Sequence, residues 1–229
     1  DICAGIDKSE GIHTADAGYM YTVKVSISDG DVVLDEVSDR VGFRYFYVDK
    51  EKGFFLNGRP HPLRGVNRHQ FYKGMGNALT EAQHEEDIAI IRELGANAVR
   101  LCHYPHTDYF YDLCDENGIV LWTEIPLVNA LGESAEFAEN TKRQLVELMR
   151  QQYNRPSVIF WGLQNEIGNG ANSASSFMNA KQLVYELDEL AHGEDGSGRY
   201  TTQAINRDYA MNQRGTADYA DFTNNIGWK

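Results

Sequence analysis

Apolar and polar residues alternate along the early part of the chain. Tyr19, Tyr21, Val23, Val25 and Ile27 fall on one side, and Met20, Thr22, Lys24, Ser26 and Ser28 on the other. A period of two is the mark of a β-strand with one buried face. Asp29-Gly30-Asp31 then turns the chain into Val32-Val33-Leu34, so a hairpin is predicted. The aromatic and β-branched run Val41-Gly42-Phe43-Arg44-Tyr45-Phe46-Tyr47-Val48 comes next and ends at the polar turn Asp49-Lys50-Glu51-Lys52-Gly53. Residues 1–48 read as the closing strands of a β-sandwich. Two or three strands bury too little to make a sandwich core alone, so they pack on the remainder of the chain or on earlier strands.

From residue 54 the period changes. Short apolar strands are expected at 64–67, 98–101, 119–122, 158–161 and 199–204, with a sixth at 220–225. Helices fall between them. Thr80-Glu81-Ala82-Gln83 has the form of a capping box ahead of Ile88, Ile91 and Leu94, and Gly95 closes that helix. Further helices are expected at 109–116, stopped by Asn117-Gly118, at 137–152, with Leu145, Leu148 and Met149 inward, and through Phe177, Ala180, Val184, Leu187 and Ala191. Strands that are apolar along their whole length imply a parallel sheet covered on both sides. No Gly-x-Gly-x-x-Gly or Walker loop follows a strand, which disfavours a doubly wound nucleotide fold. The predicted class is therefore α/β, a (β/α)8 TIM-type barrel over residues 49–229 that stops after about six strands. Unfinished edges would favour association, so a homo-oligomer is possible.

Charge narrows the partners. A formal net charge of −13 argues against nucleic acid, whose affinity comes mainly from Lys and Arg neutralising phosphates. No run is apolar enough to span a bilayer, so a soluble chain is expected, with cytoplasm and periplasm both open. Cys3, Cys102 and Cys114 show no metal-like spacing, and their odd number leaves a free thiol.

Polar residues concentrate where the strands end. Asn67-Arg68-His69 closes the first strand, Arg100 and His103-Tyr104 the second, Thr123-Glu124 the third, Gln164-Asn165-Glu166 the fourth, and Gln203 with Asn206 the fifth. In a barrel these share one rim, where reactive groups collect. Carboxylates, imidazoles, amides and a guanidinium, flanked by Trp122 and Trp161, are suited to gripping sugar hydroxyls and stacking on sugar faces. Paired carboxylates would then hydrolyse a glycosidic bond. Plainer roles stand beside these. Glu124 can be an ion-pair or cap residue, His69 and His103 buried and satisfied, and Arg100 a neutraliser of a buried carboxylate. A metal would need Glu124 or Glu166 as third ligand beside the two histidines. Tyr104-Pro105 reads as a turn, and Tyr109, Phe110 and Tyr111 as packing.

Two runs resemble the signatures of glycoside hydrolase family two. One is Asn97-Ala98-Val99-Arg100-Leu101-Cys102-His103-Tyr104-Pro105 with Asp115-Glu116-Asn117-Gly118-Ile119-Val120. The other is Asn154-Arg155-Pro156-Ser157-Val158-Ile159-Phe160-Trp161-Gly162 through Asn165-Glu166. Leu101 departs from the small residue usual after the arginine. Val41-Gly42-Phe43-Arg44 and Gly65-Val66-Asn67-Arg68-His69 are similar too, which makes residues 1–48 the end of an immunoglobulin-like sandwich. The resemblance implies a retaining mechanism with Glu166 as general acid/base, Asn165 on the 2-hydroxyl, and His69 and His103 holding the sugar. It places Arg100 beneath the nucleophile and Glu124 in the site without being that nucleophile. The nucleophile itself is expected on a seventh strand, beyond Lys229. Asn165-Glu166-Ile167-Gly168 resembles the β-galactosidases, so a terminal β-D-galactoside is the first expectation for the intact protein. A β-glucuronidase, another glycosidase of the family, or a non-catalytic carbohydrate-binding fragment are the alternatives. Residues 125–130 do not match the magnesium ligands of some β-galactosidases, so no cofactor is expected, with a divalent or monovalent metal left open.

Overall fold

The structure, a computed structural model, describes residues 19–132, 134–167, 174–204 and 222–223, with backbone alone for 174–179 and 222–223. The predicted hairpin forms. Strands β1 (Tyr21–Asp29) and β2 (Val32–Val41) pair antiparallel, with Tyr21 opposite Val41 and Val25 opposite Val37. Its expected buried face is not buried: Val25, Ile27 and Val37 are 58, 62 and 61% exposed. Alternation specifies which face would be covered but not what covers it, and among the described residues that face is open. The hairpin is anchored at its base. Asn154 donates to Asp39 at 2.9 Å, Arg40 pairs with Glu116, and a Cβ at Gly42 would stand 2.7 Å from Pro156.

Residues 46–48, expected to end the sandwich, instead open a small antiparallel sheet of β3 (Phe46–Asp49), β4 (Gly53–Leu56) and β5 (Arg59–Pro60). Phe54 from this sheet clusters with Ala98, Val120, Trp122, Ile159, Phe160 and Ala204, and Phe46, Val48, Leu56 and Tyr200 pack around them. The sheet thus floors the barrel. Burying an aromatic ring contributes roughly 1.5–3 kcal/mol, so this floor is a substantial apolar contact.

All six predicted barrel strands are present and parallel, in chain order: β6 (Gly65–His69), β7 (Ala98–Cys102), β8 (Val120–Glu124), β9 (Val158–Asn165), β10 (Tyr200–Ala204) and β11 (Phe222–Thr223). Helices α1 (Glu81–Glu93), α2 (Asp108–Asn117), α3 (Ala135–Gln151) and α4 (Ala174–Asp195) alternate with them. Two ends match the predicted punctuation: Gln83 accepts from the Thr80 amide at 3.0 Å, and Gly118 closes α2 at φ +64°. At the start of α3 the Ser134 hydroxyl accepts from the Phe137 amide at 3.1 Å, a cap the sequence reading did not mark. No helix among the described residues is long and apolar enough to cross a membrane.

Register decides which side chains meet. Asn67, Arg100, Trp122, Phe160 and Tyr200 are successive partners across the sheet and form one inward layer. His69 and Cys102 pair above it, as do Glu124 and Gly162. The intervening residues Leu101, Thr123 and Trp161 point outward, and Leu101 and Trp161 join the cluster beneath the helices. Successive strand residues face opposite sides of a sheet, so each strand supplies both the interior and the helix layer.

Candidate active site

The inward residues meet at the C-terminal ends of the strands. At the centre is Arg100, buried, with its guanidinium 4.5 Å above the Trp122 ring. Its Nε donates to Glu124 Oε2 at 2.9 Å, and its Nη2 donates to Glu124 Oε1 at 2.9 Å and to Asn165 Oδ1 at 2.8 Å. His103 Nδ1 lies 2.7 Å from Glu124 Oε1 and 3.1 Å from Arg100 Nη2. The two protons of Nη2 are spent on Glu124 and Asn165. The shorter contact therefore carries the bond, and His103 Nδ1–H donates to Glu124, which leaves Nε2 as the basic nitrogen. Glu124 has no exposed surface, and both its oxygens are engaged. It holds Arg100 and His103 in place.

Arginine only donates, so the oxygen of Asn165 faces Arg100 and its amide nitrogen is left as a donor. The Asn165 backbone is fixed as well: its amide donates to Leu127 O at 2.8 Å and its carbonyl accepts from the Asn129 amide at 2.9 Å. This support from residues 127–129 carries no signal in the sequence. Glu166 follows directly on β9, half-buried, with φ +53°. A non-glycine residue in that left-handed region stores about 1–3 kcal/mol of strain and persists only where its surroundings impose it. Here the Glu166 amide donates to Ala204 O at 2.9 Å and the Ile167 amide to Gln164 Oε1 at 3.0 Å.

His69 is exposed at the mouth, its ring centroid 5.0 Å from that of His103 in an edge-to-face arrangement. Its pKa is lowered, first by desolvation and then by the charges of His103 and Arg100, with Glu124 opposing. Cys102 lies beside the two histidines, its Sγ 3.7 Å from Asn67 Oδ1, and burial pushes its thiol up to about 11. Gly162 makes room for the centre, since a Cβ there would stand 2.3 Å from Trp122 Nε1 and 2.4 Å from Glu124 Cβ.

The structure thus joins Arg100, His103, Glu124 and Asn165 in one bonded network, with His69 and Glu166 at the same end of the strands. Three expectations are corrected, by strand parity for Trp161 and by burial for Trp122 and Gln203. Trp161 faces the helices and is fully buried, so it offers no stacking face. Trp122 lies beneath Arg100 in the barrel interior, 1% exposed. Gln203 is buried and accepts from Gln164 at 2.9 Å. Asn206 lies outside the described residues.

Arg68 also leaves the rim. It is buried against the Phe110 ring at 3.9 Å, and donates to Asp87 Oδ2 at 2.8 Å, His84 Nδ1 at 2.9 Å and His106 Nδ1 at 2.9 Å. Since His106 Nδ1 accepts, its Nε2–H donates to the Cys102 carbonyl at 3.2 Å, and this ties the helix layer to the end of β7. Burial, with Arg68 next, lowers the pKa of His106 to about 3 from 6.5. The unfolded chain therefore takes up a proton that the folded chain refuses as pH falls through 6.5. Stability from this residue is complete above that pH and is lost toward pH 3, at up to about 1.4 kcal/mol per pH unit. Unfolding free energies from urea titrations at pH 7 and pH 5 should differ by about 2 kcal/mol more in the native protein than in His106→Asn. Equal differences would show that His106 is not the titrating group.

The family described as "Glycosyl hydrolases family 2, TIM barrel domain" matches residues 47–216. A β-glucuronidase of Bacteroides fragilis is 45% identical over 217 residues, covering 92% of this chain and 29% of that protein. A β-galactosidase of Thermoanaerobacterium thermosulfurigenes is 34% identical over 186 residues, covering 81% of this chain and 25% of that protein. Among solved structures, a Bacteroides uniformis β-glucuronidase superposes with a TM-score of 0.80 at 32% identity, over 89% of this chain and 25% of that one. The chain spans less than a third of the length of these relatives.

Proposed function

The chain belongs to glycoside hydrolase family 2, and from that membership we propose that the protein carrying it is a retaining hydrolase of terminal β-glycosides with Glu166 as its general acid/base. The observation that carries this reading is the pairing of Glu166, held in a strained conformation past β9, with Asn165, oriented by Arg100. Glu166 protonates the departing oxygen and later takes a proton from water. The Asn165 amide nitrogen donates to the sugar's 2-hydroxyl, a contact that strengthens as positive charge develops at the neighbouring anomeric carbon. His69 and His103 hold the remaining hydroxyls. Family membership, rather than the bonds that engage Glu124, makes the nucleophile a different carboxylate and assigns it to a strand beyond β11.

For the sugar, a β-glucuronide comes first, on the name of the 45% identical relative. A β-galactoside, suggested by Asn165-Glu166-Ile167-Gly168 and by the name of the 34% identical relative, is the second reading. The two differ in whether C6 bears a carboxylate or a hydroxymethyl group. Paired p-nitrophenyl substrates, assayed on the full-length protein, decide between them: kcat/KM is expected to favour the glucuronide by at least about ten-fold, equivalent to about 1.4 kcal/mol. A preference for the galactoside establishes the second reading, and turnover of neither overturns both sugar readings.

A further inference from the structure

We propose that His69, Cys102 and His103 form a binding site for a thiophilic cation, Zn2+ above all, at the mouth of the barrel. Each contributes one ligand atom, and these atoms lie within 4.8 Å of one another. Register is what assembles them: His69 and Cys102 are direct partners across β6 and β7, and His103 is the next residue in the chain. The expected third ligand for the histidine pair was a glutamate; the residue found there is a cysteine.

Tetrahedral zinc at about 2.3 Å from sulfur and 2.0–2.1 Å from nitrogen requires ligand atoms roughly 3.4–3.6 Å apart. The cluster must close by about 1 Å, and His69, whose ring is exposed at the mouth, has the room to swing inward. The outer shell is already built. A metal-bound imidazole characteristically donates its other N–H to a carboxylate, and His103 Nδ1–H donates to Glu124 Oε1 at 2.7 Å, leaving Nε2 as the nitrogen that can coordinate. Glu124 is itself fixed by Arg100. Two imidazoles and a thiolate are a borderline-soft set that selects zinc, cobalt or copper over magnesium and calcium. On binding, the cation forms bonds to Sγ and to one nitrogen of each ring, the Cys102 thiol proton passes to solvent, and water completes the fourth position.

A cation held here competes with sugar for His69 and His103. That consequence rests on the proposed function, whereas the binding itself does not. The test is titration of the full-length protein with Co2+ as spectroscopic probe and Zn2+ as competitor. The expected result is one Co2+ per protein with an intense sulfur-to-cobalt charge-transfer band, abolished by one equivalent of Zn2+ and absent from Cys102→Ser. His69→Gln, at an exposed position, should weaken Zn2+ binding by more than the roughly 10- to 100-fold typical of losing an outer-shell partner. No charge-transfer band, a band that persists in Cys102→Ser, or unchanged Zn2+ affinity in His69→Gln overturns the site. Zn2+ inhibition of aryl glycoside hydrolysis should in addition be competitive with substrate. Where the band is present and inhibition is not competitive, the cation site stands and the sugar-holding role of the histidines falls.

Discussion

Glu166→Gln in the full-length protein should lower kcat/KM for glycosides with alkyl or sugar leaving groups by about 10²- to 10⁴-fold, the span over which general acid catalysis contributes. The loss should shrink as the leaving group improves and nearly vanish for a dinitrophenyl glycoside in the glycosylation step, because a stable phenolate departs without a proton. Glutamine preserves the size of the side chain and the backbone contact between the Glu166 amide and Ala204, so the fold is unaffected. A plot of log kcat/KM against leaving-group pKa is therefore flat for the native protein and steep for the variant. Equal losses across the whole series would place Glu166 outside proton transfer.

Glu124→Gln should be the most destabilising of the substitutions considered. It removes the carboxylate that pairs with the guanidinium of Arg100, 5% exposed, among the described residues. Removing one partner of a buried pair costs about 3–5 kcal/mol, which for a domain of this size is an apparent Tm lower by roughly 10 °C. Replacing both partners, as Glu124→Leu with Arg100→Met, should recover most of that stability, since two apolar groups of similar volume often match a buried pair. Activity should not return with it, because Arg100 also orients Asn165 through the 2.8 Å bond to Oδ1. Calorimetry and kcat/KM on the single and double variants separate these effects. Recovery of activity in the double variant would reduce the network to a packing role.

The barrel was legible in the sequence because its strands are apolar throughout and its helices are punctuated by residues with definite backbone requirements. Gly95, Gly118 and the Thr80–Gln83 pair each mark a helix end found where predicted. The hairpin was legible as a hairpin, through Asp29-Gly30-Asp31, but not in its surroundings. Alternation is a local property, and burial depends on what packs against it. Within the site, the chemistry at the strand ends was readable and its sidedness was not. Asn67 and His69 share one face of β6, while Arg68 between them serves the helices. The same parity turns Trp161 outward. That alternation was available in the sequence, and applying it strand by strand would have removed Arg68 and Trp161 from the rim. Cys102 is a different case. Sequence spacing marks it only as a thiol without metal-like neighbours, because its partner His69 is brought to it by the register between two strands. The support that residues 127–129 give Asn165 was equally unreadable, since backbone bonds across a loop impose no residue type.

The assignment of Glu166 is tested most directly by hydrolysing an activated aryl β-glycoside with the Glu166→Ala variant in the presence of azide and determining the configuration of the glycosyl azide by NMR. Azide needs no general base, so it attacks the glycosyl-enzyme from the open face. Two inversions then give a β-configured product with accelerated turnover. An α-configured azide would mean a single inversion at a site whose nucleophile has been removed, which would make Glu166 the nucleophile and contradict its role as acid/base.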